Sequence, residues 1–435
     1  MIGPLAIRAA AAGALLLALA GPVAAAAVTP SVTAAVDLGG APGYVRADAG
    51  SPLAGVQLFV RAGLDRQTDA QNGLAALTAE AVLRTPVDGL ALTDAVAARG
   101  GSLEYAVASR YVRFHLQAAP AALAGLAPLL ARALAAPATD PATLAAARAA
   151  LGERIAEDER SAILTGLGMV RTAYYRDGPA QPPLGTPGAL TAFAAADVAA
   201  FHDRWYVRGS AYLAEVGRTG PASDIAARAL VAALPAGTAP PATAPSTRPF
   251  GKEPRRLVTH RDIGSPYLVL GFAAPALGGR DFAGALVVRA LLSEVLERSG
   301  ATTLPPQRRG AGTIYGYDVD PAQLALWING GQVDPSTGLG TVAAVVKAAA
   351  QKPLAPAVLA RYKETARGAW QLESVTLEER GEAIGNAVAQ GLDPAALDAI
   401  PAAVDAVSAA DVQRVAKRWF QQFDVALVLP RADGG

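Results

Sequence analysis

Apolar and polar positions alternate along Gly55-Val56-Gln57-Leu58-Phe59-Val60, and a period of two predicts a strand. Polar residues from Arg61 to Gln71 then mark a turn region, and the apolar stretch Gly73 to Leu83 predicts a helix. The same succession returns later in the chain. Tyr267 to Phe272 reads as a strand, Gly278 to Asp281 as a turn and Phe282 to Leu296 as a helix. In each case a further strand pair follows, Ser102 to Gln117 in the first and Thr313 to Gln332 in the second.

The ends of the two stretches correspond more closely still. Ala195-Ala196-Asp197-Val198, Arg204-Trp205-Tyr206 and the apolar run Ala211 to Val216 are matched by Ala409-Ala410-Asp411-Val412, Arg418-Trp419-Phe420 and Val425 to Leu429. The offset is 214 for both Asp and Trp (197 to 411, 205 to 419). Asp197 and Asp411 stand where an N-cap or first-turn carboxylate would meet free N–H groups and the helix dipole. Val198, Phe201 and Trp205 then share one helix face, as do Val412, Val415 and Trp419. Trp205 and Trp419 are expected to pack rather than bind a ligand, and His202, beside Asp203, to lie at the surface.

Between the repeats, Pro235 to Pro249 contains five prolines and predicts an extended, semi-rigid linker. The resulting division is 28–234, linker 235–255, and 256–435. Each flanking region is expected to be an α+β domain, a sheet with helices on one face.

Residues 1–27 read as a secretory signal. Arg8 is their only charge, Ala9 to Ala20 are apolar around a leucine cluster, Gly21-Pro22 breaks the run, and Ala24 to Ala27 offer a cleavage site. The expected location is the periplasm or the outside of the cell, with no membrane association after cleavage.

Composition narrows the chemistry. The 435 residues are 52% hydrophobic and 17% charged, which excludes general disorder. A net charge of +1 argues against a nucleic-acid partner. No cysteine is present, so disulfides, cysteine nucleophiles and Cys-ligated metals are excluded. The three histidines, His115, His202 and His260, are too far apart for a local cluster. Glu378-Glu379-Arg380 and the run from Glu153 to Arg160 read as solvated helix faces.

The strand Gly55 to Ala62, the helix opening on Gly73-Leu74-Ala75, the Phe201…Tyr206…Gly217 segment and the duplicated second half together resemble the pitrilysin/insulinase family of zinc metallopeptidases, the inverzincins. The resemblance implies two homologous domains in tandem, each a mixed, largely antiparallel sheet with helices on one face, in a clamshell arrangement. In such enzymes the helix after Gly-Leu-Ala carries H-x-x-E-H, two zinc-binding histidines and a glutamate base. Here the corresponding positions are Ala76, Ala79 and Glu80. Alanine has neither a donor for a metal nor a proton-accepting group, so zinc hydrolysis by this chain is excluded. Glu153 falls near the expected third ligand.

A second family pattern, R-x-x-x-G-x-x-Y, is matched by Arg308, Gly312 and Tyr315. The resemblance implies that Arg308 and Tyr315 hold substrate backbone across the chamber, where a guanidinium and a phenol would donate to peptide carbonyls. It implies a non-catalytic subunit that binds no cofactor itself. Zinc would sit on a partner subunit of the same family, in a heterodimer that degrades peptides. The alternative is a stand-alone degenerate peptidase serving as a peptide-binding or scaffold protein.

Overall fold

The computed structural model describes residues 33–238, 240–241, 244–300, 310–330 and 335–431. Residues 1–27, expected to be a secretory signal, and Arg308 lie outside these residues. The first half contains strands β1 (Thr33–Asp37), β2 (Pro42–Ala47) and β3 (Ala54–Val60), then helix α1 (Leu74–Arg84). A small ribbon, β4 (Pro86–Val87) and β5 (Leu90–Ala91), leads through α2 (Leu92–Ala97) to β6 (Ser102–Val107) and β7 (Val112–Ala118). Helices α3 (Pro120–Ala135), α4 (Pro141–Arg160), α5 (Ala162–Tyr174), α6 (Pro187–Ala192) and α7 (Ala195–Trp205) follow. Strand β8 (Ala211–Gly217) and helix α8 (Pro221–Ala233) close the half.

The second half repeats this plan. Its elements are β9 (Arg256–Arg261), β10 (Tyr267–Ala274), α9 (Phe282–Gly300), β11 (Gly310–Gly316) and β12 (Ala322–Asn329). They continue as α10 (Pro335–Gln351), α11 (Pro356–Leu372), α12 (Leu377–Ala389), α13 (Ile400–Asp405), α14 (Ala409–Trp419) and β13 (Phe423–Pro430).

The repeat read in the sequence is a repeat of sheet topology. The first sheet runs β1-β2-β8-β3-β7-β6 and the second β11-β12-β10-β13-β9. Reversing the second gives β9-β13-β10-β12-β11, which matches β2-β8-β3-β7-β6 strand for strand. In each sheet one pair is parallel, β2 with β8 and β13 with β9, and the others are antiparallel. The repeated Asp works as expected in the first helical turn. Asp197 accepts from the Ala194 N–H at 2.7 Å, and Asp411 forms a reciprocal capping box with Ser408. Trp205 is buried, and the Trp419 indole N–H donates to Asp281 at 2.9 Å.

One face of the first sheet carries α1, α3 and α8, whose apolar residues form its main core. The second sheet carries α9, α10 and α14 in the same manner. The opposite faces are covered by exchange. Helix α5 of the first half lies on β10 and β13, and α12 of the second half lies on β8 and β3. The two helices occupy equivalent places in the repeat, since Gly166 and Gly381 differ by 215 (381 − 166), as do Val170 and Gly385 (385 − 170).

Close approach requires small residues at these crossings. A Cβ on Gly385 would fall inside the Phe59 ring, and one on Gly381 inside the Gln57 amide. On the other sheet the relation inverts: the helix supplies Val170 and the strand supplies Gly271, whose added Cβ would stand 2.7 Å from that of Val170. Phe59 itself stacks on Tyr212 with ring centroids 4.9 Å apart and meets Tyr111 edge-on at 5.0 Å.

The proline-rich connection is bound to the first half. Pro235 and Gly237 carbonyls accept from the backbone N–H groups of Arg208 and Gly209, Arg66 donates to Pro240 and Pro241, and Phe250 stacks on Tyr174 at 5.4 Å. Thr247 also forms an isolated bridge with Tyr175.

Gly385→Ala is expected to cost about 1–3 kcal/mol of unfolding free energy through overpacking against Phe59. Urea denaturation would measure this, and the same change in a Phe59→Ala background should cost clearly less, because the clashing ring is gone.

Candidate functional site

Helix α1 starts at Gly73, which sits at φ 97° and so suits glycine, and Gln67 accepts from the Ala75 N–H at 3.0 Å. Every residue from Leu74 to Leu83 is buried. Ala76 and Ala79 are fully enclosed core positions, packed where α1 meets its neighbours. Both are closed to solvent.

Glu80 is also buried, at 3% exposure. Arg84 donates to its carboxylate at 2.8 Å, and the Arg154 guanidinium stands 3.8 Å away. Arg154 also lies over the Tyr105 ring at 4.7 Å. A buried carboxylate needs positive charge nearby, and two guanidinium groups supply it here. Glu153, the residue before Arg154, faces solvent. Alanine donates nothing to a metal, and the one remaining carboxylate is paired with arginine, so these residues do not fit a zinc ion. Among the described residues, no group of three or more His, Asp or Glu side chains is placed to hold a metal.

A second polar cluster lies on the other face of the first sheet, beneath α12. Arg113 on β7 is almost wholly buried and is clamped by Glu378 and by Glu382, the latter at 3.1 Å. Glu378 was expected on a solvated face. It crosses instead to the first half, and Arg380 of the same segment reaches Asp48 at 2.6 Å. The reason is that α12 covers a sheet rather than facing water on all sides. Gln57 donates to the carbonyls of Leu377 and Glu378 at 3.0 and 2.9 Å, Tyr111 to Asn386 at 2.7 Å, and Tyr212 to the Gly385 carbonyl at 3.1 Å. Glu104 on β6 has its pKa raised by burial and by the nearby Glu378 charge, against the opposing pull of Arg113.

His115, two residues from Arg113 on the same strand face, is 2% exposed. Burial, with the Arg113 charge second, lowers its pKa from 6.5 to about 4, so the ring is neutral at ordinary pH. Its Nδ1 has no hydrogen-bond partner among the described residues. His202 was expected at the surface but is buried, with Nε2 against the Leu134 carbonyl at 2.8 Å and the ring stacked on Tyr206. The C-terminal end of α7 turns inward there, so adjacency to exposed Asp203 was a poor guide.

Tyr315 lies on β11, buried in the second core. Its hydroxyl donates to the Pro275 carbonyl at 2.5 Å, and its ring packs on Phe282 and Tyr317. Burial pushes its pKa well above the usual phenol range. Gly312 pairs with Trp327 across the ladder, and a Cβ there would stand 2.8 Å from the indole nitrogen. The glycine of the R-x-x-x-G-x-x-Y pattern therefore admits an indole. Ala76 and Ala79 belong to the first core and Tyr315 to the second, so the two sequence-level site elements do not share a cluster. Sequence reading gave no role to Arg113 or Arg154 and took His115 only as an isolated histidine. The signal available was Arg113, His115 and Gln117 at alternate positions of a strand whose other face is apolar.

Within two repeated α+β halves, the α1 positions that the resemblance assigns to the first zinc histidine and to the base are core alanines, and its second histidine position is the arginine-paired Glu80. No family model and no curated protein matches the chain. Solved structures match it in fold along nearly its whole length. A protease from Helicobacter pylori gives a TM-score of 0.77 at 15% identity, covering 92% of this chain and 100% of that one. A peptidase M16 inactive domain from Pseudomonas fluorescens gives 0.74 at 16% identity, covering 94% and 100%. A chain of Complex III2 from Candida albicans gives 0.72 at 15% identity, covering 91% and 95%. The fold is that of M16-like peptidases, as the pitrilysin resemblance implied, with two tandem domains of mixed, largely antiparallel sheet.

The histidine gives a testable pH dependence. Between pH 6.5 and about 4 the unfolded chain binds a proton at His115 that the folded chain refuses, so this group removes stability as pH falls through that window. His115→Gln should therefore lose less stability than the wild type between pH 7 and pH 4, measured by denaturant unfolding. Equal losses in both proteins would show that His115 charges freely in the folded state.

Proposed function

We propose that this chain is the non-catalytic, substrate-binding subunit of a heteromeric zinc peptidase, exported to the periplasm or secreted. The observation that carries the reading is α1 itself: Ala76 and Ala79 are core alanines, and Glu80 is neutralised by Arg84 and Arg154, in a chain with the M16-like peptidase fold. Zinc, the H-x-x-E-H residues and the bond-breaking step would belong to a partner chain of the same fold. Two of the similar structures support the reading by their descriptions, one being a peptidase inactive domain and the other part of a multi-chain complex.

Within that reading the C-terminal half meets the peptide near β11, an edge strand of its sheet. Arg308, just before β11, is the donor proposed to hold a peptide carbonyl. Tyr315 steadies the strand itself, since its hydroxyl ties β11 to the Pro275 carbonyl. The pair thus divides into a contact residue and a positioning residue.

The test is cleavage of a quenched, unstructured peptide by a zinc-motif chain from the same cell, with and without this chain. The expected outcome is a strong rise in turnover on adding this chain, which is inert alone. Arg308→Ala should lower turnover of the complex while leaving assembly intact. Tyr315→Phe should chiefly lower this chain's stability, by about 1 kcal/mol for one net hydrogen bond. If the partner works equally well alone, the chain is instead a stand-alone peptide-binding or scaffold protein.

A further inference from the structure

The repeat makes one asymmetry visible. In the first sheet β2 lies beside β8, and β1 covers its outer edge, pairing Val36 with Gly43 and Thr33 with Val45. In the second sheet β9 holds the place of β2, parallel to β13. Nothing among the described residues covers its outer edge, and β9 ends the sheet.

The register identifies the open positions. Gly43 and Val45 stand beside Leu213 and Glu215 on β8, whose counterparts 214 residues on are Leu427 and Leu429 (213 + 214, 215 + 214). Those residues stand beside Val258 and His260. So Val258 and His260 occupy the positions on which a covering strand sits in the first half.

Backbone direction agrees. The carbonyls of Arg255 and Arg261 accept from Val425 and Arg431 on the β13 side. Hydrogen-bonding direction alternates along a strand, so the odd-numbered residues of β9 face β13. The N–H and C=O groups of Arg256, Val258 and His260 therefore point outward; the Arg261 guanidinium donates to the His260 carbonyl at 3.1 Å, and among the described residues no strand pairs with this row, which can template another strand. Val258 is 53% exposed, a large apolar side chain on the same open row.

Charge selects among possible strands. The sequence of β9, Arg-Leu-Val-Thr-His-Arg, holds no acidic residue. Arg256 is exposed and has no ion-pair partner among the described residues; the exposed acids Glu253 and Asp262 lie outside the strand, before and after it. An added strand whose side chain opposes Arg256 would meet a favourable cross-strand pair if it is a carboxylate and repulsion if it is a cation.

We propose that the outer edge of β9 is a docking site for an extended, carboxylate-rich segment of another protein, which adds to the second sheet antiparallel to β9 as β1 adds to β2. Backbone pairing supplies the binding, Val258 offers an apolar contact, and Arg256 sets the preference for acidic side chains. The site is separate from α1 and from β11, at the opposite edge of the second sheet.

The test uses the full mature chain and two blocked, fluorescent peptides, one alternating valine with glutamate and one alternating valine with lysine. Fluorescence anisotropy should show saturable binding of the glutamate peptide, weakened by salt, and little binding of the lysine peptide. Val258→Pro removes one outward N–H without touching the β13 ladder, and should weaken binding about tenfold. Arg256→Glu should weaken the glutamate peptide by about tenfold and admit the lysine peptide. The charge reversal decides the matter even if the proline variant fails to fold. Binding unchanged by both substitutions, or no preference between the peptides, overturns the proposal. Dimerisation of the free chain that Val258→Pro abolishes, without glutamate-peptide binding, would also overturn it, because the edge would then serve a second copy.

Discussion

Each sheet of this chain is completed by a helix from the other half, and that reciprocal covering governs the rest of the architecture. A sheet with one core face and one bare apolar face would not be stable in water. Helix α5 closes the second sheet and α12 the first. The fit is made by glycine where a side chain presses in, at Gly385 under Phe59 and at Gly271 under Val170. It is locked by polar contacts that need both halves, above all the Arg113 clamp by Glu378 and Glu382. A buried guanidinium deprived of its carboxylates would be costly, so the clamp favours the docked arrangement over any in which the halves part.

The same electrostatic requirement shapes α1. A carboxylate persists at Glu80 although the metal-binding residue types around it are alanines. Enclosed in the core, that carboxylate is tolerable because Arg84 and Arg154 face it, and Arg154 is itself held on the Tyr105 ring. The polar chemistry of α1 is thus that of an internal ion pair, set in a helix whose place is fixed by apolar burial. A fold shared with peptidases does not by itself carry their chemistry, because it rests on that burial and not on the residues of a site.

Much of this plan was legible in the chain. Matching Asp197/Asp411 and Trp205/Trp419 exposed the duplication, and residue identity at 76, 79 and 80 set the expectation that α1 holds no zinc. What escaped was whatever depended on one half touching the other. Glu378 looks like any solvent-facing helix glutamate until α12 is seen lying on β3 and β8. Gly166, Gly381 and Gly385 lower helix propensity with no local benefit, and only the opposing strand explains them. The pattern that singles out Tyr315 says nothing of its surroundings: the phenol lies in the second core and donates to the Pro275 carbonyl.

The proline-rich connection between the halves has a mechanical consequence. Its composition suggests a semi-rigid spacer, but it is fastened to the first half at Arg208, Gly209, Arg66 and Tyr174. A connector tied down in this way acts as a strut and not as a hinge. With α5 and α12 bolting the halves together, the natural unit of displacement is the whole chain moving as one rigid jaw. Opening the joint between the two halves would uncover the apolar sheet faces that α5 and α12 close, so that joint is the costliest place in the chain to part.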